Sequence, residues 1–184
     1  MPPTSEPASS PPRDTLEKQA AKPAAATAEA TEAPSALLLE LKKARVSLQQ
    51  GIEQAERSNG VAISAKYELE EGKLSLSVYT AQAGLDQDAE HNVLMELSGD
   101  ATQSEWAPKS EVFSDKEHIT RASYHLTLMQ QTRTKLHQVI GKAAAQQPGQ
   151  VYSIIPGLKE RTPVFHVSVA TPTDASVELE ISGG

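Results

Sequence analysis

Apolar residues in the first part of the chain recur at steps of three and four, which is the spacing of one helical face. This pattern predicts a single amphipathic helix from Ala36 to Arg57. Ser35 is the predicted N-cap, and Asn59-Gly60 the predicted stop. The apolar stripe consists of Leu37, Leu41, Ala44, Leu48, Ile52 and Ala55.

The period then changes to two, which is typical of strands with one buried face. The odd positions from Val61 to Leu69 form the inner face of a first strand, and Glu71-Gly72 is a turn. The next strand has Leu74, Leu76 and Val78 inward and Ser75, Ser77 and Tyr79 on its open face. A third strand is predicted at Asn92–Ser98, with Val93, Met95 and Leu97 inward.

The same order of patterns returns in the second half of the chain. Ser114 and Glu117 have the spacing of a capping box and predict the start of a long helix that Pro148-Gly149 ends. Its apolar stripe consists of Ile119, Ala122, Leu126, Met129, Leu136, Ile140 and Ala143. Three predicted strands follow, near Gln150–Ile155, Pro163–Ala170 and Ser176–Ser182.

These matching patterns indicate an internal repeat. Leu48, Ile52 and Ala55 match Leu136, Ile140 and Ala143 at one offset, Leu76 and Val78 match Phe165 and Val167, and Val93–Gly99 lies over Val177–Gly183. The alternative is a loose overlay of two unrelated helix-and-strand segments. The repeat predicts an α+β fold of order α-β-β-β-α-β-β-β, with each helix on its own three-stranded antiparallel sheet.

Residues 1–34 differ in composition from the rest, with seven prolines, nine alanines and Leu16 as the one large aliphatic residue after Met1. Such a segment buries too little apolar surface to offset its ordering entropy, which predicts a disordered tail. The predicted organisation is therefore a tail at 1–34, a first module at 35–106 and a second at 107–184.

The segment Leu48–Gly60 leading into Val61–Tyr79 resembles the PepSY domain, in which a helix ends at Gly and a Gly-Lys turn opens the second strand. Gly72-Lys73 supplies that turn in the first module, whereas Gly157-Leu-Lys is displaced in the second. The first module ends in Ser98-Gly-Asp-Ala-Thr, similar to the family's Asp-Ala-x-Thr-Gly turn, and the second in Ser182-Gly-Gly. The resemblance implies an extracytoplasmic, non-enzymatic module of a kind sometimes linked to protease inhibition or membrane-associated proteins.

Charge and composition restrict the classes of partner that this chain is expected to bind. The net charge is −7 and no Lys/Arg cluster stands on a predicted face, which argues against nucleic acid or an anionic membrane surface as a partner. The chain has no cysteine, so disulfides and thiolate chemistry are excluded. No apolar stretch approaches the length of a membrane span, and the sequence given starts without a secretory signal. We expect either a leader removed before this start or a cytoplasmic protein.

No recognised catalytic motif is present, neither a nucleophile elbow nor a Gly-rich phosphate loop, so we expect no enzymatic activity and no cofactor. His118 and His125 lie seven residues apart on the second helix, near Asp115 and Glu117. They are either two ligands of a metal site or, as we expect, two solvated histidines beside the apolar stripe.

The candidate binding surface lies on the outer strand faces. The last hairpin is predicted to pair His166 with Glu180 and Ser168 with Glu178, on the open side of the sheet. Trp106, the only tryptophan, is either an aromatic binding group or a plug between the modules. The full candidate set is Ser75, Ser77, Tyr79, Trp106, His166, Ser168, Glu178 and Glu180. The predicted function is a binding or inhibitory module for a protein or peptide partner, and the alternative is an assembly protein that associates through exposed sheet edges.

Overall fold

The computed structural model describes residues 35–184, which belong to one compact unit. The predicted disordered tail, 1–34, lies outside the described residues. The helices are α1 (Ala36–Leu41), α2 (Leu48–Asn59), α3 (Lys116–Gln131) and α4 (Leu136–Gln146), with a short 3-10 helix at Ala89–His91. The strands are β1 (Val61–Glu70), β2 (Lys73–Ala81), β3 (Leu94–Asp100), β4 (Lys109–Val112), β5 (Gln150–Lys159), β6 (Thr162–Ala170) and β7 (Ser176–Ser182).

The strands form one seven-stranded sheet in the order β4-β3-β2-β1-β5-β6-β7, with antiparallel neighbours throughout. The predicted α+β class and antiparallel pairing are therefore confirmed. The prediction of two separate three-stranded sheets is wrong, because β1 pairs with β5 and joins them. Joining two edges pairs backbone groups that separate sheets would leave open to solvent or to other chains.

The sequence did not predict β4, whose four residues are all exposed and show no buried alternation. β4 pairs with β3, although the predicted division at residue 106 places it in the second module. At β3 itself the predicted strand is displaced by two residues, and Val93 is exposed rather than inward. The predicted strand at Gln150–Ile155 continues to Lys159.

Each long predicted helix is broken into two. Ser35 caps α1 as predicted, but Ser47 and Gln50 then form a capping box that starts a new helix, α2. The second predicted helix is interrupted between α3 and α4, where the backbone N–H of Arg133 donates to the carbonyl oxygen of Gly183 at 3.1 Å. The predicted cap Ser114 is also wrong, because Asp115 is the N-cap of α3 and accepts from the backbone of His118.

The two faces of the sheet differ in polarity along its whole width. Residues directly opposite in an antiparallel pair share a face. One transverse row is apolar on six strands and belongs to what we call the packed face: Leu97, Val78, Ala65, Ile154, Val167 and Leu179. The adjacent row is polar on all seven strands and belongs to the second face: Lys109, Ser98, Ser77, Lys66, Ser153, Ser168 and Glu178.

Helices α1, α2 and α4 form the cover of the packed face. Gly51 of α2 lies so close to Leu76 that a Cβ built there would sit 2.3 Å from its Cδ2. The Tyr67 hydroxyl, from the same face, donates to the carbonyl oxygen of Val46, just before α2. Helix α4 lies beside α2 and buries Leu136, Val139 and Ala143. The main hydrophobic core therefore lies between this face and these helices.

Both halves of the sheet have a β-bulge at the corresponding place. The register of β1 against β2 shifts at Ile63, and that of β5 against β6 shifts at Tyr152. The extra residue reverses the alternation, so Val61 pairs with Ala81 on the second face rather than pointing inward as predicted. The residues before the strands, Gly60 and Gly149, have positive φ angles of 84° and 147°.

Candidate functional site

Helix α3 crosses the second face and contacts β1 and β3 of the first half of the sheet and β5 and β6 of the second. The His125 ring on α3 places Nδ1 3.1 Å from the Ser64 hydroxyl oxygen of β1, and Tyr79 packs edge-to-face on Phe113 with ring centroids 4.7 Å apart. Ser75, Ser77 and Tyr79 were predicted to lie on an open face. This prediction is wrong, since Ser77 is 1% and Tyr79 6% exposed, and Ser75 is also buried.

A pocket of about 370 Å³ lies between α3 and this face, at the junction of the two halves. Helix α3 contributes Arg121 and His125, and β5 contributes Ile155. Strands β1 and β2 contribute Ser64, Ala65, Lys66, Ser77 and Tyr79. The pocket lies where the register pairing of β1 with β5 ends, near the two bulged positions Ile63 and Tyr152. Its volume is within the usual range for small-molecule sites, roughly 300–1,000 Å³.

Burial keeps both titratable rings of the pocket neutral. Burial, with a smaller contribution from the Arg121 charge, lowers the pKa of His125 from 6.5 to about 4. Burial, and then the negative charge of Glu96, raises the pKa of Tyr79 above 10.0. At neutral pH the pocket therefore has a neutral imidazole and a protonated phenol, and its fixed charges are those of Arg121 and Lys66.

The charged groups around the pocket have partners at its rim. Arg121 pairs with Glu117 at 2.8 Å, and Lys66 pairs with Glu68 at 2.6 Å. The Ser77 hydroxyl donates to Glu96, which lies beside the pocket and does not line it. The pairs of Arg121 and Lys66 are partly exposed to solvent, and such pairs contribute little stability. Both cations can therefore exchange partners at small cost.

On the same face, the last hairpin exposes His166, Glu178 and Glu180, and its register is as predicted. His166 opposes Glu180, and Ser168 opposes Glu178. The Ser168 hydroxyl donates to Glu178 at 2.8 Å, whereas Glu180 is paired with Lys159 at 2.6 Å and not with His166. The His166 ring instead covers Gly157, where a Cβ would lie 2.5 Å from its Nε2. We call Lys159, His166, Ser168, Glu178 and Glu180 the open patch.

Trp106 is buried, but it does not separate the two halves. Its Nε1–H donates to the carbonyl oxygen of Gly99 at 3.2 Å, and its own carbonyl oxygen accepts from Gln54 of α2 at 2.8 Å. The indole therefore closes the packed face within the first half. The structure thus brings Ser77 and Tyr79 to the pocket and the last-hairpin residues to the open patch, with Trp106 apart from both.

The two helical histidines are in different environments. His118 is partly exposed, with Nδ1 2.7 Å from Asp115, whereas His125 is 5% exposed. The expectation of two solvated histidines is wrong for His125. Within residues 35–184, no group of three or more His, Cys, Asp or Glu side chains has an arrangement that could hold a metal ion. Sequence reasoning also missed Arg121, Lys66 and Ser64, because their contacts depend on α3 crossing to the second face.

No helix between residues 35 and 184 combines the length and apolarity that a membrane crossing requires. No protein-family model matches the chain, and no curated protein matches it. Among solved structures, the chain is similar to a candidate lipoprotein from Clostridium difficile 630, with 12% identity and a TM-score of 0.39. That similarity covers 76% of this chain and 88% of the other.

Proposed function

We propose that this chain is a non-catalytic, extracytoplasmic binding module of PepSY type that recognises a protein partner through the open patch. The observation that carries the proposal is the exposed part of the second face on the last hairpin. There, carboxylates, a lysine, a histidine and a hydroxyl stand in register on β5, β6 and β7. A rigid sheet that presents polar groups at fixed spacing is suited to partner recognition.

The proposed internal repeat is supported by geometry that recurs at a constant offset. The bulges at Ile63 and Tyr152 are 89 residues apart, and the hairpin turns at Glu71-Gly72 and Glu160-Arg161 have the same separation. All four turn residues have positive φ angles, between 48° and 78°. A loose overlay of unrelated segments would not reproduce a bulge and a left-handed turn at one spacing.

The charge of the open patch points to a basic or amide-rich partner surface. The patch has two glutamates, Glu178 and Glu180, and one lysine. That lysine, Lys159, pairs with Glu180 and neutralises its charge. Glu178 is bound by the Ser168 hydroxyl and by no cation among the described residues. Its charge is therefore available to a partner's lysine, arginine or backbone N–H groups.

The alternative, assembly through sheet edges, is less favoured by the edges observed. The outer strands of the described sheet are β4, which carries Lys109 and Glu111, and β7, which carries Glu178 and Glu180. Short edge strands and charged edge residues are devices that oppose strand addition. Light scattering at high protein concentration should show a monomer, and a defined oligomer that β4 charge reversal dissolves would favour the alternative.

The proposal is tested by placing a photo-crosslinking amino acid at Ser168 in the full chain, expressed in the native host. Irradiation should give one discrete protein adduct, and Glu178→Lys should remove it. The matched control is the same amino acid at Ser58, an exposed position of α2 on the opposite side of the sheet. An adduct of equal yield from Ser58, or none from Ser168, would contradict the open patch as the binding surface. Protease digestion of intact cells would test the extracytoplasmic location, because only an external protein is cleaved.

A further inference from the structure

We propose that the pocket beneath α3 is a binding site for a small organic carboxylate with an apolar body, and that Arg121 and Tyr79 are its anchoring residues. This site is distinct from the open patch, so the inference goes beyond the proposed function. It depends on the shape of the pocket, on the charged groups that line it and on the Nε2 atom of His125, which has no hydrogen-bond partner among residues 35–184.

The pocket is too large to be a packing fault that one ordered water could fill. Its volume is about 370 Å³, whereas a water molecule in the liquid occupies about 30 Å³. The walls are largely apolar, formed by the rings of Tyr79 and His125 and the side chain of Ile155. Several waters against such walls would lack hydrogen-bond partners, so an apolar group that displaces them is favoured.

The lining has positive charge and hydrogen-bond donors. Arg121 and Lys66 line the pocket, and no carboxylate does. Three carboxylates lie beside the pocket: Glu117 and Glu68 are bound to these cations at the rim, and Glu96 accepts from the Ser77 hydroxyl. Glu117 occupies only one guanidinium nitrogen of Arg121, so other N–H groups remain to form the paired hydrogen bonds that carboxylates accept.

The two neutral rings favour the same ligand. Because Tyr79 stays protonated at neutral pH, its hydroxyl can donate to a carboxylate that Arg121 also binds. His125 uses Nδ1 on Ser64, and its Nε2 has no hydrogen-bond partner within residues 35–184. This nitrogen is not fully buried, so either water or a ligand atom in the pocket can be its partner, and the imidazole face offers an apolar contact to the ligand body.

The experiment uses the full chain at neutral pH and follows backbone amide shifts by NMR during titration with phenylacetate. Its uncharged analogue, phenylacetamide, is the matched control, since it has nearly the same shape. We expect saturable shifts at Ser64, Ser77 and Ile155 with phenylacetate and an affinity for phenylacetamide that is at least about tenfold lower. Equal affinity for acid and amide would overturn the carboxylate assignment.

Three substitutions test whether phenylacetate binds in the pocket. Arg121→Gln should lower the affinity for phenylacetate about tenfold or more and leave the affinity for phenylacetamide nearly unchanged. Arg133→Gln removes an exposed arginine just beyond α3 and should change neither affinity. Ile155→Phe fills the pocket and should weaken both ligands, with the dispersion of its NMR spectrum showing that it folds.

Two outcomes would overturn the inference. One is the absence of saturable shifts at any soluble phenylacetate concentration. The other is a set of shifts confined to His166, Ser168 and their neighbours, which would place the ligand on the open patch. Loss of the Ser168 adduct with retention of phenylacetate binding would contradict the proposed function alone, so the two proposals fail separately.

Discussion

The two halves of the sheet have matching hairpins but differ in what covers their second face. In the first half, α3 and Phe113 lie over Tyr79. In the second half, Ser168 occupies the matching position 89 residues later and no described helix lies over its hydroxyl, which binds the exposed Glu178. The same backbone therefore supports a pocket beneath α3 at the β1–β5 junction and an exposed polar surface on the last hairpin.

This difference shows that burial of the second face is decided by chain connection rather than by strand pattern. Ser75 and Ser77 alternate with leucines just as Ser168 alternates with valines, so both strands are expected to expose their hydroxyls. The first half is covered because β4 and α3 follow β3 and cross this face before α4 returns to the other side.

The largest expected difference in stability comes from truncating the side chains at the two matching positions, Tyr79 and Ser168. Tyr79→Ala removes a ring that is packed on Phe113 and His125 and should lower the free energy of unfolding by about 3 kcal/mol. Ser168→Ala should change it by less than about 0.5 kcal/mol, as is usual for surface substitutions. Urea denaturation measures both, and similar losses for the two variants would show that α3 does not cover the first half in solution.

Acid should destabilise the covered half through His125. Its pKa is about 4 in the folded protein and 6.5 as a reference for the unfolded chain, so between these values the unfolded state binds more protons. Stability is therefore complete above pH 6.5 and falls as the pH decreases to about 4, by about 3 kcal/mol in total from this residue.

Denaturation midpoints measured from neutral to acid pH show how steeply the stability of the fold changes with pH. His125→Gln should remove the His125 contribution, and His137→Gln, at an exposed position of α4, should retain it. An unchanged pH slope in His125→Gln would show that the imidazole is solvated and that the pocket opens readily.

A smaller difference in stability is expected between alanine substitutions at two glycines, one in α2 and one in α4. Gly51→Ala would place a methyl group against the buried Leu76, and the required shift should cost about 1–3 kcal/mol. Gly141→Ala in α4 meets no atom within 4 Å and should stabilise the protein by about 0.5–1 kcal/mol, since alanine favours helix. Thermal unfolding would show opposite changes in melting temperature, and two changes of the same sign would contradict the close approach of α2 to β2.

Local patterns predicted most of the strands, because each hairpin shows its buried face as strict alternation. The register of β6 with β7 followed from this alternation alone. Alternation could not predict the join between β1 and β5, since the backbone groups that form it leave no side-chain signal. It also failed at Val61, where a single extra residue reverses the face.

The candidate site was less accessible to sequence reasoning. His125 and Arg121 are four residues apart on α3 and look like ordinary helical surface residues. Their role in the structure depends on which side of the sheet α3 crosses, which the apolar stripe does not encode. The Gly-Lys turn of the first hairpin has no counterpart in the second, yet Glu160 and Arg161 adopt the same left-handed backbone, at φ angles of 48° and 71°. Strand pairing thus imposes a turn that the residues themselves disfavour.

The short ladder between β1 and β5 has a mechanical consequence. Register pairing across it is limited to Ala65 with Ile154 and Lys66 with Ser153, whereas each hairpin is paired along nearly its full length. When tension is applied to the two ends of the described region, we expect the β1–β5 pairing to break first. Each hairpin would then separate with its own strand pairing intact. The amide protons that pair β1 with β5 should therefore exchange with solvent faster than those inside either hairpin, even though they lie at the centre of the sheet.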